Sequence, residues 1–217
     1  MIETVSFPVF PLAGAILLPR AQLPLHIFED RYRALVRHAM AGDRRIGMVQ
    51  PRGEPGRGEV GRGGAAPALF AVGCLGEIVA SEELDDGRFN IVLEGIGRFT
   101  IMEELERDTP FRQVAARLEA EADEEEDALP SVLRADLERE SRRYADALGF
   151  AVDWTSVARL DDEMLVNGIA QVAPFDTGSK QALLEADSIA DRADMLVQFM
   201  QFARLMPGGA DGPGTLQ

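Results

Sequence analysis

The spacing of apolar residues changes at Glu29. Residues 7–28 form an apolar segment interrupted by prolines. A helix interior excludes proline, because the residue lacks an N–H group and clashes with the preceding turn. This segment therefore predicts short strands joined by bends. From Glu29 onward apolar residues recur at helical spacing, which predicts an amphipathic helix over 29–41 that ends at Gly42.

Further strands are predicted where Val, Ile, Leu and Phe dominate, at residues 46–49, 69–80, 88–102 and 111–118. The Asp86-Gly87 pair predicts a hairpin turn with positive φ at both turn positions. Gly95 and Gly97 interrupt the following strand and predict a bulge or a sharp bend. Short strands with one early helix indicate a closed or half-open antiparallel barrel.

Residues 50–67 are rich in Gly and Pro and show no apolar period, which predicts a mobile surface loop. The loop contains three arginines, Arg52, Arg57 and Arg62. Two interpretations stay open, a solvated loop and a contact arm for an acidic partner.

From Pro130 onward the apolar period is helical. The predicted helix starts are Pro130, Asp161, Thr177 or Asp176, and the sequence Ser188-x-x-Asp191. The chain is therefore predicted to be α+β in several parts. These parts are a β domain at 1–118, an acidic linker at 119–127, a helical bundle at 128–206 and a disordered tail at 207–217.

The net charge of −15 lies mostly in the second half of the chain. Residues 1–118 hold 14 Arg and 16 Asp or Glu, a net charge of −2, whereas residues 119–217 hold 8 Lys or Arg and 21 Asp or Glu, a net charge of −13. The acidic half is expected to repel phosphate backbones and anionic lipids. Nucleic acid and membranes are therefore not the expected partners.

Cysteine and histidine are too scarce for a metal site or a disulfide. Cys74 is the single cysteine and is expected to be buried, and the two histidines lack a ligand spacing. No cofactor is predicted. The early uncharged stretch is too short to span a membrane, and the first charge is Glu3, so a cytoplasmic protein is expected.

Several motifs are found along the chain. They are Phe7-Pro8, Phe10-Pro11-Leu12, Leu23-Pro24-Leu25, Ile27-Phe28-Glu29, Arg31-Tyr32, Glu94-Gly95, Gly97-Arg98-Phe99, Lys180-Gln181 and Leu183-Leu184-Glu185. Together they resemble the N-terminal substrate-binding domain of Lon protease over nearly the whole chain. One departure is Arg20, where many relatives place Gly after the proline. The resemblance implies a PUA-like β pseudobarrel.

We interpret the motif residues as structural. They are Pro8, Pro11, Pro24, Phe28, Glu29, Arg31, Tyr32, Glu94, Gly95, Gly97, Arg98 and Phe99. The prolines and glycines fit bends, and Tyr32 is expected in the core. The charged members are expected to pair, an arginine with a carboxylate, and so to hold the helix start against a barrel strand.

The sequence predicts no enzyme. It lacks the glycine-rich phosphate loop that ends in Gly-Lys-Ser or Gly-Lys-Thr. Ser179 and Lys180 are neighbours that point about 100° apart on a helix, so they cannot form a protease dyad, and Lys180 is expected on the helix surface. Lon's ATPase and protease modules have no counterpart here. The sequence places His26 near Glu29 and Asp30, and a small-molecule hydrolase would depend on these three residues.

The remaining candidate is an apolar surface. The peptide-binding candidates are Phe7, Phe10, Leu12, Ile16, Leu17 and Leu23, and the alternative is that they form the core. The resemblance implies a module that binds unfolded or hydrophobic polypeptides, as an adaptor or regulator of proteolysis. Partners would be such polypeptides, a protease or a second copy of the chain. The alternatives are an RNA-binding PUA-like protein and the hydrolase.

Overall fold

The structure is a computed structural model that describes residues 4–53, 67–119 and 128–205. It is α+β, and the chain divides into two compact units, Met1–Glu121 and Ala122–Gln217. Arg57 and Arg62, the predicted linker from residue 120, and the predicted tail lie outside the described residues.

In its described residues the first unit contains a mixed six-stranded sheet and one helix. Its elements are β1 (Thr4–Pro11), β2 (Gln22–Ile27), α1 (Asp30–Ala41), β3 (Arg45–Val49), β4 (Val72–Glu83), β5 (Phe89–Leu105) and β6 (Gln113–Leu118). The strand order is β2-β5-β4-β3-β1-β6, and β5 also pairs with β6. The extra pairing joins five strands into a closed ring, while β2 stays outside it. All pairings are antiparallel except β1 with β3.

The core of the first unit lies inside this ring. The rings of Phe7 and Phe99 meet edge to face there, with centroids 4.9 Å apart. Tyr32 of α1 is buried as predicted, its ring 4.2 Å from that of Phe10, and its hydroxyl donates to the carbonyl oxygen of Pro11 at 3.3 Å. The predicted helix and strands are therefore all found, with shifted ends.

The predicted bulge in β5 is confirmed. The pairing of β5 with β4 shifts register between Gly95 and Gly97. The carbonyl oxygen of Leu18 occupies the place that a Cβ atom on Gly95 would take, whereas the same place beside Gly97 is empty. Gly95 thus lets another backbone segment approach β5 closely.

The β4–β5 turn differs from the prediction. Gly87 has a positive φ of 77°, but Asp86 does not. The N–H of Gly87 donates to Leu84 O at 2.8 Å, and the N–H of Leu84 donates to Arg88 O at 2.8 Å. These bonds make a three-residue loop at 85–87, one residue longer than a two-residue turn. A loop of this length is commonly a turn followed by one left-handed residue, so only Gly87 needs a positive φ.

The second unit is helical in its described part. Its elements are α2 (Ser131–Leu148), α3 (Trp154–Val157), α4 (Asp162–Val172), α5 (Thr177–Glu185) and α6 (Ile189–Leu205). Helix α6 packs against α2, α4 and α5. No helix within the described ranges has both the length and the apolar character needed to cross a bilayer.

Three predicted helix starts of this unit are confirmed by their caps. Asp161 accepts from the N–H of Met164 at 2.7 Å, and Asp176 accepts from the N–H of Ser179 at 2.9 Å. Before α6, Ser188 accepts from the N–H of Asp191 at 3.0 Å. The bonds from Ser179 hold the pKa of the Asp176 carboxyl below its usual value. The short helix α3 was not predicted, although Asp153 caps it.

The expectation of a surface position for Lys180 is wrong. The side chain is buried, and Nζ donates to the carbonyl oxygen of Gln171 at 3.0 Å. Gln171 lies in the last turn of α4, where carbonyl groups lack helical partners. Lys180 therefore caps α4 from the neighbouring helix, a contact that local sequence spacing does not reveal.

Candidate functional site

Four of the six apolar candidates lie in the core. Phe7, Phe10, Ile16 and Leu17 are buried, which corrects the expectation that they line a surface cleft. On β1, Phe7 lies in the core inside the ring, and Phe10 packs against Tyr32 of α1. Ile16 and Leu17 belong to the segment after β1, where Leu17 packs against Gly76 of β4. Leu12 and Leu23 are partly exposed.

Phe28 differs from the structural role expected of it. Its side chain is 62% exposed, because it lies at the bend where the chain leaves β2 before α1 begins. Its ring stacks near that of His26, with centroids 6.3 Å apart. Phe28 is therefore an exposed aromatic residue at one end of β2.

The charged motif residues pair locally. Glu29 and Arg31 form an ion pair at 2.9 Å within two residues of each other. Arg98 pairs at 2.6 Å with Glu119, and Glu94 accepts from the side chain of Gln22 at 2.8 Å. These contacts do not hold the start of α1 against a strand, as the sequence had suggested. Glu29 and Arg31 pair within one segment, and the partners of Arg98 and Glu94 lie after β6 and on β2.

An open groove of about 550 Å³ lies on the outer face of β2, β5 and β4. We call it the sheet groove. It is lined by Pro24, Leu25, His26, Ala80, Ser81, Glu82, Asn90, Ile91 and Val92. Alternation along β5 explains the position of the groove: Phe89, Ile91 and Leu93 have buried side chains, so the residues between them face outward.

Cross-strand register arranges the outward residues in three rows. Pro24, Val92 and Ala80 form an apolar middle row. The flanking rows are polar, His26 with Asn90 and Glu82 on one side, and Gln22 with Glu94 and Glu77 on the other. The groove thus has an apolar floor with the polar His26 row at one end. The row of Gln22, Glu94 and Glu77 follows the apolar row on the same sheet face, beyond the residues that line the groove.

Hydrogen bonds fix the row that contains His26. Nη1 of Arg88 lies 3.1 Å from Nε2 of His26, and since arginine is always a donor, Nε2 must accept. Nδ1 then carries the proton and donates to Asn90 Oδ1 at 2.8 Å. Asn90 in turn donates to Glu82 at 3.1 Å. Contacts at both ring nitrogens therefore hold His26 in place in the groove wall.

Asp86 holds Arg88 in place at the β4–β5 turn. It accepts from the backbone N–H of Arg88 at 3.1 Å and from Nε at 2.6 Å. The backbone bond first, and then the guanidinium, hold the pKa of the Asp86 carboxyl below its usual value. The guanidinium of Arg88 is thus already neutralised by a local carboxylate.

The residues suggested for a hydrolase do not form a catalytic arrangement. His26 bonds to Asn90 and Arg88, Glu29 pairs with Arg31, and Asp30 pairs with Arg33 at 2.9 Å. Within the described ranges, none of the three bonds to another. The same ranges contain no group of three or more His, Cys, Asp or Glu arranged to hold a metal ion.

Sequence reasoning missed Val92, Ala80, Asn90 and Glu82. A signal for the first of these exists in the sequence RFNIVLE, where strict alternation places Val92 outward between Asn90 and Glu94. Val92 lies beside Ala80 and Pro24 only because β5 pairs with both β4 and β2. No local pattern contains that information.

Comparison with known proteins gives one consistent answer. Residues 6–201 match the family described as the ATP-dependent protease La (LON) substrate-binding domain. Lon protease of Xanthomonas oryzae pv. oryzae is 25% identical over 202 residues, which are 90% of this chain and 23% of that protein. Lon protease of Escherichia coli K12 is 25% identical over 92% of this chain and 25% of its own length.

Solved structures share the fold. The Lon N-terminal domain protein from Xanthomonas campestris has a TM-score of 0.63 at 24% identity, covering 90% of this chain and 99% of its own. The N-terminal domain of Mycobacterium avium complex Lon protease has a TM-score of 0.62 at 21% identity, covering 91% and 98%. The chain spans about a quarter of the length of the curated relatives it matches. It belongs to the family of Lon protease substrate-binding domains.

Proposed function

We propose that the chain is a non-catalytic polypeptide-binding module that captures unfolded or hydrophobic protein segments and serves as an adaptor or regulator of proteolysis. The family supports substrate binding, because the match covers the substrate-binding domain of Lon. The observation that carries the proposal is the sheet groove, an apolar floor on an outward sheet face. An apolar surface of this kind is a place where a polypeptide can bury its own side chains.

The proposed binding surface includes residues beyond the groove floor. Phe28 adds an exposed aromatic ring next to His26. Leu23 and Leu12 remain candidates because part of each side chain is accessible. Pro24 lies on the terminal strand β2, where the missing N–H removes one donor from the edge. We therefore expect a polypeptide to bind over the sheet face rather than to extend the sheet.

The proposal includes a fold for each unit. The closed ring of β5, β4, β3, β1 and β6 supports a PUA-like pseudobarrel. The packing of α6 against three other helices supports a C-terminal helical bundle. A cytoplasmic location stays a prediction from the sequence, as does the absence of ATPase and peptidase activity.

Binding of a permanently unfolded, fluorescently labelled polypeptide tests the proposal. We expect the purified chain to raise the anisotropy of this polypeptide, and the native protein from which the unfolded polypeptide was prepared is the reference that should not bind. Val92→Asp should weaken binding at least about tenfold, because it places a charge on the apolar floor. Met102→Asp is the matched control, since Met102 is exposed on the same strand outside the groove. If Val92→Asp and the original chain bind the polypeptide equally well, the groove is not the binding site.

The same preparation separates the remaining alternatives. Addition of the chain to a Lon protease degrading an unfolded substrate should change the rate, faster for delivery and slower for holding or competition. An unchanged rate would contradict the adaptor or regulator role.

RNA binding is the remaining alternative. Retention of RNA by the chain, lost steeply as salt is raised, would support it.

A further inference from the structure

We propose that the sheet groove takes an extended polypeptide segment with a basic side chain on each side of an apolar one, in the spacing basic-x-apolar-x-basic. This inference rests on the proposed function and names the class of segment bound. It is carried by the order of the three rows on this sheet face: the apolar row and the row of Glu82 line the groove, and the row of Glu94 and Glu77 lies directly beyond it. The middle row is apolar, and each flanking row contains carboxylates.

The carboxylates are free to pair with a bound cation. Glu94 and Glu77 are cross-strand neighbours in one flanking row, and Glu82 lies in the other. Glu82 and Glu94 each accept from a neutral amide, that of Asn90 and that of Gln22. In the part of the chain that the structure describes, none of the three forms an ion pair.

Two neighbouring arginines are directed elsewhere. Arg88 binds Asp86 and His26. Arg45 is opposite Glu77 in the sheet, but its Nε lies 4.0 Å from Asp43. Like charges directly opposite each other destabilise a sheet, so the Glu94–Glu77 pair costs stability unless a cation comes between them. A basic side chain of a bound segment is the group that would relieve this repulsion.

The spacing fits an extended chain. Glu94, Val92 and Asn90 lie in successive rows along β5, so the two flanking rows are separated by four residues, or about 13 Å. A bound strand-like segment repeats at the same rise per residue, and its side chains at positions i, i+2 and i+4 share one face. A basic residue at each end then reaches a carboxylate row while the central residue meets Pro24, Val92 and Ala80.

Phe28 strengthens the row that contains Glu82. Its ring is exposed and stacks against His26 of that row. A guanidinium or ammonium over an exposed aromatic ring is favourable. The two ends therefore differ: one offers two carboxylates, and the other offers Glu82 on β4 and, across the row at His26 of β2, the ring of Phe28.

The test uses labelled synthetic peptides of equal length, binding to the full chain in an anisotropy titration. The core sequences are Lys-x-Leu-x-Lys, Glu-x-Leu-x-Glu, Lys-x-Ser-x-Lys, and a version with both lysines adjacent. We expect the first to bind about tenfold tighter than each of the others. Glu82→Gln and Glu94→Gln should each weaken it several-fold, and raised salt should do the same. Glu103→Gln is the matched control, a carboxylate on β5 outside the groove.

The outcomes separate this inference from the proposed function. If basic and acidic peptides bind equally and Val92→Asp weakens both, the groove binds polypeptide but the basic preference is wrong. If Lys-x-Ser-x-Lys or the adjacent-lysine peptide binds as tightly, the attraction is the general one to an acidic chain, which also overturns the inference. If no peptide and no unfolded polypeptide binds, the proposed function itself fails.

Discussion

Leu18 and Gly95 touch backbone to backbone, and the carbonyl oxygen of Leu18 fills the space that a side chain on Gly95 would need. We expect Gly95→Ala to lower the free energy of unfolding of the first unit by about 2 kcal/mol or more, because the new methyl group must displace main chain rather than a flexible side chain. Calorimetric melting measures this loss. A melting temperature equal to that of the original chain would show that the Leu18 segment can move away from β5 freely.

Gly97 supplies the matched control for that experiment. It lies two residues along the same strand, but a Cβ atom there would meet no heavy atom within 4 Å. Gly97→Ala should therefore change stability by less than about 0.5 kcal/mol. A large loss in both variants would mean that the bulge, rather than the contact with Leu18, requires glycine.

Arg20 occupies a backbone conformation that favours glycine. Its φ is 60°, and its N–H donates to the carbonyl oxygen of Gly95 at 2.9 Å. We expect Arg20→Gly to raise the free energy of unfolding by roughly 0.5–1 kcal/mol, because glycine adopts this conformation without steric cost. Arg20→Ala removes the same side chain but keeps the Cβ atom. Chemical denaturation of both variants compares them, and equal stability of the two would contradict the expected backbone effect.

Tyr32 connects α1 to the core of the first unit. Its ring packs on Phe10, and its hydroxyl bonds to the carbonyl oxygen of Pro11. Tyr32→Ala should cost roughly 3 kcal/mol or more, since it leaves a large cavity. Tyr32→Phe keeps the ring and should cost about 1 kcal/mol. Thermal melting distinguishes the two variants, and an unmoved midpoint in Tyr32→Ala would contradict the packing described here.

Lys180 gives a prediction about pH. Burial lowers the pKa of its ammonium below the usual 10.5, because the buried side chain favours the neutral amine. Between the lowered pKa and 10.5, the unfolded chain binds more protons at this site than the folded chain does. The free energy of unfolding contributed by Lys180 therefore rises with pH through that window. Below the window the cost of burying the charged ammonium in the folded chain is fully present.

Comparison with Lys180→Met isolates this effect, because methionine does not titrate and all other groups are shared. We expect the stability of the original chain, relative to the variant, to increase as pH is raised from neutral toward 10.5. Denaturation followed by the fluorescence of Trp154, the single tryptophan, reports the unit that contains Lys180. If the difference in free energy of unfolding between the two proteins stays constant over this range, Lys180 ionises in the folded chain as it does in water.

The sequence predicted most elements because their signals are local. Capping residues such as Asp161 and Asp176 bond to N–H groups three residues away, so the helix starts could be read directly. Gly95 and Gly97 likewise marked the bulge in β5. Helix α3 escaped prediction because it has four residues and therefore no measurable apolar period.

The candidate site was predicted less well, because it depends on contacts between strands distant in sequence. Large apolar residues such as Phe7 and Leu17 looked available for a ligand, yet ring closure buries Phe7, and packing against Gly76 of β4 buries Leu17. Val92 looked like an ordinary strand residue until its neighbours on β2 and β4 were known. Burial of Lys180 was not predictable from local sequence either, because the carbonyl group that it binds belongs to another helix.

The closing of the ring has a consequence for synthesis on the ribosome. Strand β1 pairs with β6 from Thr4 opposite Arg117 to Pro8 opposite Gln113, so the first strand made needs the last. Until β6 has left the exit tunnel, one edge of β1 has no partner from its own unit. The first unit therefore cannot close its ring until all of its strands have been made, and a chaperone that holds the nascent chain would act on β1 until then.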